Sequence, residues 1–107
     1  MSALRFHELT VKRVSPEAAG SVAVTFAIPA DTRDTFKFQP GQFLTLRAKV
    51  NGEEVRRTYS ISSPRSRLAK AGELEIGIRP VEGGVFSNWA AQTLKAGDKL
   101  DVMPPDG

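Results

Sequence analysis

The residue types best suited to hold a ligand occur in one short run, Arg57-Thr58-Tyr59-Ser60. Side chains alternate along a strand, so Arg57 and Tyr59 share one face and lie about 7 Å apart. An arginine fork makes paired, charge-assisted hydrogen bonds to phosphate oxygens, and a tyrosine ring offers a flat apolar face with one hydroxyl. Ser60 follows at the strand end, where its hydroxyl can meet the polar edge of a ring. On its own, the run also fits a plain edge strand.

A second run, Gly83-Gly84-Val85-Phe86-Ser87-Asn88, has the composition of a turn that leads into a helix. Glycines let the backbone approach a ligand closely. Ser87 is the predicted N-cap of this helix, and the free N–H groups of a helix start favour an anion. Taken alone, this run also fits a tight turn before an ordinary capped helix. Both runs in this order, with a strand between them, predict a flavin nucleotide site with the ring at one end and the pyrophosphate at the other.

Composition narrows the other possibilities. The 107 residues carry 15 Lys and Arg against 12 Asp and Glu, a net charge of +3. Their one local basic cluster is Arg56, Arg57, Arg65 and Arg67. The alternative to a flavin site is therefore a non-catalytic basic β-barrel module that uses this cluster to bind an acidic protein or a nucleic acid. We do not expect a nucleic acid as partner in the flavin interpretation, because no basic stripe with interleaved aromatic residues is present.

Other candidate chemistry is weaker. The sequence has no cysteine and a single histidine, His7, so we expect no metal site. Ser87 has no histidine nearby to act as a base for a serine hydrolase. The carboxylates of Glu53, Glu54, Glu73 and Glu75 are expected to be solvated. No apolar stretch approaches the roughly 18 residues of a membrane span, and no signal sequence is evident, so we predict a cytoplasmic protein without membrane contact.

Short alternating segments separated by turn residues predict an all-β fold. The Asn51-Gly52 pair predicts a tight hairpin between the third and fourth strands. A short helix is predicted over 88–94, and the stretch Ser62–Gly72 is predicted to be a loop. We therefore expect a six-stranded antiparallel Greek-key barrel with one short helix. The predicted strands are Phe6–Val14, Ser21–Ile28, Gln42–Val50, Glu54–Ile61, Glu73–Arg79 and Lys99–Met103.

These motifs resemble the FAD-binding domain of the ferredoxin–NADP⁺ reductase superfamily. Its Arg-x-Tyr-Ser signature is matched by Arg57-Thr58-Tyr59-Ser60, and its later Gly-x-x-Ser signature by Gly84-Val85-Phe86-Ser87. The run Phe38-Gln39-Pro40-Gly41-Gln42 matches the wider pattern, and the resemblance covers essentially the whole chain. Within the superfamily, the sequence is most similar to the reductase components of bacterial oxygenases, in particular those of phenylacetyl-CoA oxygenases, which act in phenylacetate degradation.

The resemblance implies roles for individual residues. Arg57 would pair with the FAD pyrophosphate, Tyr59 would pack on the isoalloxazine and ribityl portion, and Ser60 would act as the catalytic residue that hydrogen-bonds near N5, the atom that accepts hydride. The full set of implied cofactor-binding residues is Arg57, Thr58, Tyr59, Ser60, the backbone around Ile78, Arg79 and Val81, and the helix start Gly84, Val85, Phe86 and Ser87. FAD is the expected cofactor, with FMN as a near variant.

The resemblance also implies what the chain lacks. Such reductases carry a further domain for NAD(P)H, and oxygenase reductases add a [2Fe–2S] domain. The sequence has neither a βαβ glycine fingerprint nor a cysteine to hold a cluster. We therefore expect residues 1–107 to be the N-terminal FAD-binding barrel domain of a larger NAD(P)H-dependent oxidoreductase, inactive by itself. Its partner would be an oxygenase or a ferredoxin-type electron acceptor.

Overall fold

The structure, a computed structural model, describes residues 5–107. Six strands and two α-helices make up the fold, with short 3-10 turns at Ala18–Gly20 and Ala30–Thr32. The helices are α1 (Arg65–Ala71) and α2 (Val85–Thr93). The strands are β1 (His7–Pro16), β2 (Val22–Ala27), β3 (Phe43–Val50), β4 (Glu53–Ser60), β5 (Glu73–Ile78) and β6 (Lys99–Val102).

All six strands belong to one antiparallel sheet with the order β4-β3-β6-β1-β2-β5. The hairpin at Asn51-Gly52 forms as predicted, with φ of 53° and 82° at its two central residues. The sheet curls so that its edge strands approach each other, and the chain after β4 meets β5 at one bridge, Ile61 to Ile76. The predicted all-β, six-stranded antiparallel Greek-key fold is confirmed, as a curled half-barrel rather than a closed one.

Alternating side chains of the sheet build a single hydrophobic core, and α2 covers its open side. Phe86 and Ala90 of α2 are fully buried in this core. Val22, Val24 and Phe26, which alternate along β2, are all buried in this core. Neither helix has the length and apolar character needed to cross a membrane.

The prediction of a single helix is wrong, because α1 occupies most of the stretch predicted to be a loop. Only Leu68 of its seven residues is buried, so the segment shows no helical pattern of apolar residues. A helix this short is not stable in isolation and depends on tertiary contacts. Arg67 supplies them, bonding to Glu73 at 2.8 Å and to Glu75 at 3.4 Å.

The expectation that Glu73 is solvated is also wrong. This carboxylate is buried and contacts Lys12, Arg13 and Arg67. The chain brings these cations from β1 and α1, so no local pattern reveals the burial. The pKa of Glu73 is lowered from its ordinary value of 4.5 to about 2 by hydrogen bonds from Lys12 and Arg67.

Candidate functional site

The two runs that the sequence singles out line one cavity of about 200 Å³. The cavity lies between β4, the chain that follows β5, and the start of α2. It is lined by Arg57, Thr58, Tyr59, Arg79, Val81, Gly84, Phe86 and Ser87. The structure thus brings together eight of the eleven residues expected to bind a cofactor.

The remaining three predicted residues lie outside this cavity. Ser60 is exposed at the end of β4 and pairs with Phe43. Ile78 is fully buried in the core, so only its backbone is open to a ligand. Val85 lines a neighbouring cavity of about 410 Å³ on the other side of the Gly83-Gly84 turn.

Strand pairing explains how Arg57 and Tyr59 reach the cavity. In the β3–β4 ladder Arg57 is opposite Leu46 and Tyr59 is opposite Leu44, and both leucines are fully buried. Directly opposed residues of an antiparallel pair share a face, so Arg57 and Tyr59 lie on the core side of an edge strand. The predicted common face of these two residues is therefore present, and it faces the gap between β4 and β5.

Tyr59 is half-buried beside α2. Its ring lies 5.9 Å from the Phe86 ring, centroid to centroid. Burial raises the pKa of the Tyr59 phenol above its ordinary value, and the Arg57 charge opposes this in part. The phenol is therefore neutral near pH 7 and can donate a hydrogen bond at the cavity wall.

The predicted cap at the start of α2 is wrong. The helix begins at Val85 with Gly84 in the N-cap position, and no side chain caps it. Ser87 is buried in the first turn, where its Oγ accepts a hydrogen bond from the Val81 N–H at 3.3 Å. The Asn88 side chain braces the same turn by donating to the carbonyls of Val81 at 2.8 Å and Gly84 at 2.7 Å. Asn88 directly follows the Ser87 motif, and its bracing role depends on a turn that only the fold shows.

The cavity has the donors that a pyrophosphate requires. Among the described residues, neither Arg57 nor Arg79 has a carboxylate within ion-pair distance, and Arg57 Nη1 donates only to the Arg56 carbonyl at 2.7 Å. The N–H groups of Val85, Phe86 and Ser87 likewise have no acceptor in residues 5–107. Two cations and the free amides of Phe86 and Ser87 around one cavity, with the Val85 amide at the same helix start, fit a doubly charged anion.

Gly84 keeps this cavity open. A Cβ at this position would meet Ser87 Oγ and a Val81 methyl carbon, each at 2.5 Å. Contacts this short force a neighbour to move. The glycine is needed here for close packing, since its φ of −76° is accessible to any residue.

The profile of the Oxidoreductase FAD-binding domain family matches residues 8–107. The chain belongs to this family. The FAD-binding domain is 44% identical over 102 residues to one of the subunits of 1,2-phenylacetyl-CoA epoxidase from Escherichia coli strain K12, a match that covers 95% of the chain and 28% of the relative. It is 38% identical over 101 residues to the ferredoxin reductase component of 3-ketosteroid-9-alpha-monooxygenase from Rhodococcus rhodochrous, covering 92% of the chain and 28% of the relative.

A solved structure has the same fold. The FAD/NAD-binding domain of nitric oxide dioxygenase from Vibrio cholerae superposes with a TM-score of 0.81 at 22% identity, covering 96% of this chain and 44% of that one. The family profile and the two relatives confirm the predicted resemblance to ferredoxin–NADP⁺ reductase-type flavoproteins, and with it FAD as the cofactor. Nothing in these similarities supports the alternative of a basic module for nucleic acid. The FAD-binding domain spans 28% of the length of each of the two relatives named above.

Proposed function

We propose that residues 1–107 form the flavin domain of a longer NAD(P)H-dependent reductase that delivers electrons to an oxygenase. The observation that carries this proposal is the cavity in which Arg57, Arg79 and the free amides of α2 meet the Tyr59 ring. The 44% identity to a subunit of 1,2-phenylacetyl-CoA epoxidase supports a phenylacetyl-CoA oxygenase of phenylacetate degradation as the acceptor system. Electrons would pass from NAD(P)H through FAD to an iron–sulfur centre.

Each part of the cavity has a task in this proposal. Arg57, assisted by Arg79, neutralises the pyrophosphate, and the amides of Val85, Phe86 and Ser87 hold its oxygens. Tyr59 supports the ring and the ribityl chain. Ser60, at the end of the same strand, offers its hydroxyl to the N5 edge of the ring. FAD supplies, when bound, the exchange between two-electron and one-electron transfer.

The remaining parts of the reductase lie outside this chain in the proposal. The sequence contains no cysteine, so the iron–sulfur cluster belongs to another domain or another protein. The proposed reductase also has a nucleotide-binding domain for NAD(P)H. Its electron acceptor is the oxygenase or a ferredoxin-type protein, and its location is the cytoplasm. The flavin domain is not expected to oxidise NAD(P)H alone, since the group that positions the nicotinamide is elsewhere.

Flavin titration tests the proposal. The purified protein, as this chain and as the full-length gene product, is mixed with FAD or FMN and passed through gel filtration. We expect a yellow protein peak with FAD, at one flavin per chain, and mass spectrometry of the released cofactor identifies it. A full-length protein that elutes without flavin contradicts the proposal, and FMN as the retained species would correct the cofactor.

A further inference from the structure

The end of β4 is fastened to β5 directly beyond the residues that face the flavin. The Ser62 N–H donates to the Glu75 carbonyl at 2.9 Å, and the Ser62 hydroxyl reaches the same oxygen at 3.2 Å. The Glu75 N–H donates in turn to Ser63 Oγ at 3.0 Å. Together with the bridge between Ile61 and Ile76, these bonds form what we call the β4–β5 clasp. It begins one residue after Ser60.

The clasp is backed by charges that converge on Arg67 of α1. Arg67 Nε donates to Glu73 at 2.8 Å, Nη1 to Glu75 at 3.4 Å and Nη2 to Thr25 Oγ1 at 3.2 Å. The Thr25 hydroxyl donates to the second carboxylate of this group, Glu75, at 3.4 Å. Ser62 Oγ contacts that carboxylate as well, also at 3.4 Å. Arg67 therefore holds the side chain of Glu75, whose backbone carries most of the clasp.

Helix α2 packs against both edge strands, and the β4–β5 clasp is the direct hydrogen-bonded connection between them among the described residues. The bridge from Ile61 to Ile76 is the one β-bridge that the described residues make between the end of β4 and β5. The flavin cavity lies in the gap between these strands, with Tyr59 on one side and Arg79 on the other. A shift of the clasp therefore moves Tyr59 and Ser60 relative to the opposite wall, and loss of position by about 1 Å is costly at a reactive site.

We propose that Arg67 is a positioning residue of the flavin site, which it sets through the β4–β5 clasp without touching the cofactor. This inference rests on the proposed function. It locates the effect at the ring end of the site, near Tyr59 and Ser60, and away from the pyrophosphate end at Arg57 and the start of α2. Arg65, two residues earlier in the same helix, is exposed and makes no ion pair with any described residue, so it provides a matched control.

Comparing the binding of two flavins distinguishes an effect at the ring end of the site from one at the pyrophosphate end. The variants Arg67→Gln, Arg67→Lys and Arg65→Gln are titrated with FAD and with riboflavin, which lacks the pyrophosphate, and the visible circular dichroism of the bound flavin is recorded. In Arg67→Gln, loss of the charge-assisted hydrogen bonds is expected to lower the affinity for both flavins by a similar factor, on the order of fivefold. The bound-flavin spectrum changes as well. Arg67→Lys recovers part of the affinity, and Arg65→Gln matches the unmodified protein.

A purely structural role of Arg67 gives a different result. If Arg67→Gln only lowers the urea midpoint, with both affinities and the flavin spectrum unchanged, the inference is overturned. The same holds if Arg65→Gln has an equal effect. Should Arg67→Gln fail to fold, Ser63→Ala removes one clasp bond while keeping every charge, and unchanged binding of both flavins in that variant also overturns it. Absence of flavin binding in the unmodified full-length protein is a separate outcome, which rejects the proposed function itself.

Discussion

Three arginines of the FAD-binding domain have opposite electrostatic surroundings: Arg67 is paired with carboxylates, and Arg57 and Arg79 are not. Arg67 is surrounded by two carboxylates of β5, those of Glu73 and Glu75, and by the Thr25 hydroxyl of β2. Arg57 and Arg79 line the cavity proposed for the flavin, with no carboxylate partner among residues 5–107. Charges that the protein neutralises by itself hold its elements together, whereas cations left unpaired beside free amides are available to an anionic ligand.

The titrating groups of the two regions show the same contrast. Around Arg67, hydrogen bonds from Lys12 and Arg67 hold the pKa of Glu73 at about 2, so a negative charge is already stabilised within the chain. In the cavity lined by Arg57 and Arg79, burial raises the pKa of Tyr59, which keeps that phenol neutral. The cavity thus combines positive charge with a neutral ring, a combination that suits the pyrophosphate and ring of the proposed FAD.

Removing the unpaired cation should have the largest effect on binding. Arg57→Gln is expected to lower the affinity for FAD by about 10- to 100-fold, because charge-assisted hydrogen bonds contribute about 1.5–3 kcal/mol. Riboflavin binding should change little. The free energy of unfolding should stay within about 0.5 kcal/mol of that of the unmodified protein, since the exposed Arg57 side chain makes no ion pair with residues 5–107. Fluorescence titration and urea denaturation measure the two quantities.

Arg56→Gln is the matched control for Arg57. The Arg56 side chain pairs with Glu54 at 3.1 Å on the exposed surface, and such a pair contributes little. FAD affinity in this variant should equal that of the unmodified protein. Equal losses in the two variants would show that general positive charge, and not the position of Arg57, attracts the flavin.

Closing the cavity from its backbone side should have the next largest effect. In Gly84→Ala the new Cβ would collide with Ser87 Oγ and Val81, so these residues of the cavity wall must move. We expect FAD affinity to fall by about tenfold, equivalent to about 1.4 kcal/mol. Gly77→Ala is the control, because the nearest atom to its Cβ is Glu17 Oε1 at 4.0 Å. Isothermal calorimetry that finds unchanged affinity for Gly84→Ala would refute the close-packing role.

Lowering the pH should destabilise the fold through the ion pairs of Glu73 with Lys12 and Arg67. Its pKa is lower in the folded protein than in the unfolded chain, so the stabilisation is complete above about pH 4.5 and is lost as the pH falls toward 2. The free energy of unfolding should therefore decrease across this window. Urea denaturation at several pH values checks the slope. Glu73→Gln should flatten this part of the profile, and a profile of unchanged slope in that variant would contradict the assignment.

The smallest effect is expected at the start of α2. Ser87→Ala removes the bond that Ser87 Oγ accepts from the Val81 N–H, which contributes about 1 kcal/mol. FAD retention should weaken by no more than about fivefold. Dialysis against flavin-free buffer, followed by absorbance at the flavin band, measures this. Asn88→Ala tests the bracing of the same turn, and a larger loss there than in Ser87→Ala would show that the amide side chain is the main support.

Much of the site could be predicted because its signals are local. The alternation of Arg57 and Tyr59 follows from strand geometry, and the glycines before α2 indicate a close backbone approach. The role of Ser87 was predicted incorrectly, because the choice between a cap and a buried first-turn residue depends on where Val81 lies. Helix α1 was missed for a similar reason. Its bonds from Arg67 reach Thr25 of β2, 42 residues away in sequence, and the carboxylates of Glu73 and Glu75, whose positions relative to Arg67 depend on the fold.

The amino-acid sequence by itself determined the strand pattern, the Asn51-Gly52 hairpin and the family motifs of this FAD-binding domain, since turn chemistry and side-chain alternation act over a few residues. Tertiary structure alone decided which charges are paired. The strand order β1-β2-β5 and the position of α1 bring Lys12 and Arg67 onto Glu73, while Arg57 and Arg79 line one cavity without a carboxylate partner among the described residues. Electrostatic pairing depends on distance in space, which neighbours in sequence do not specify.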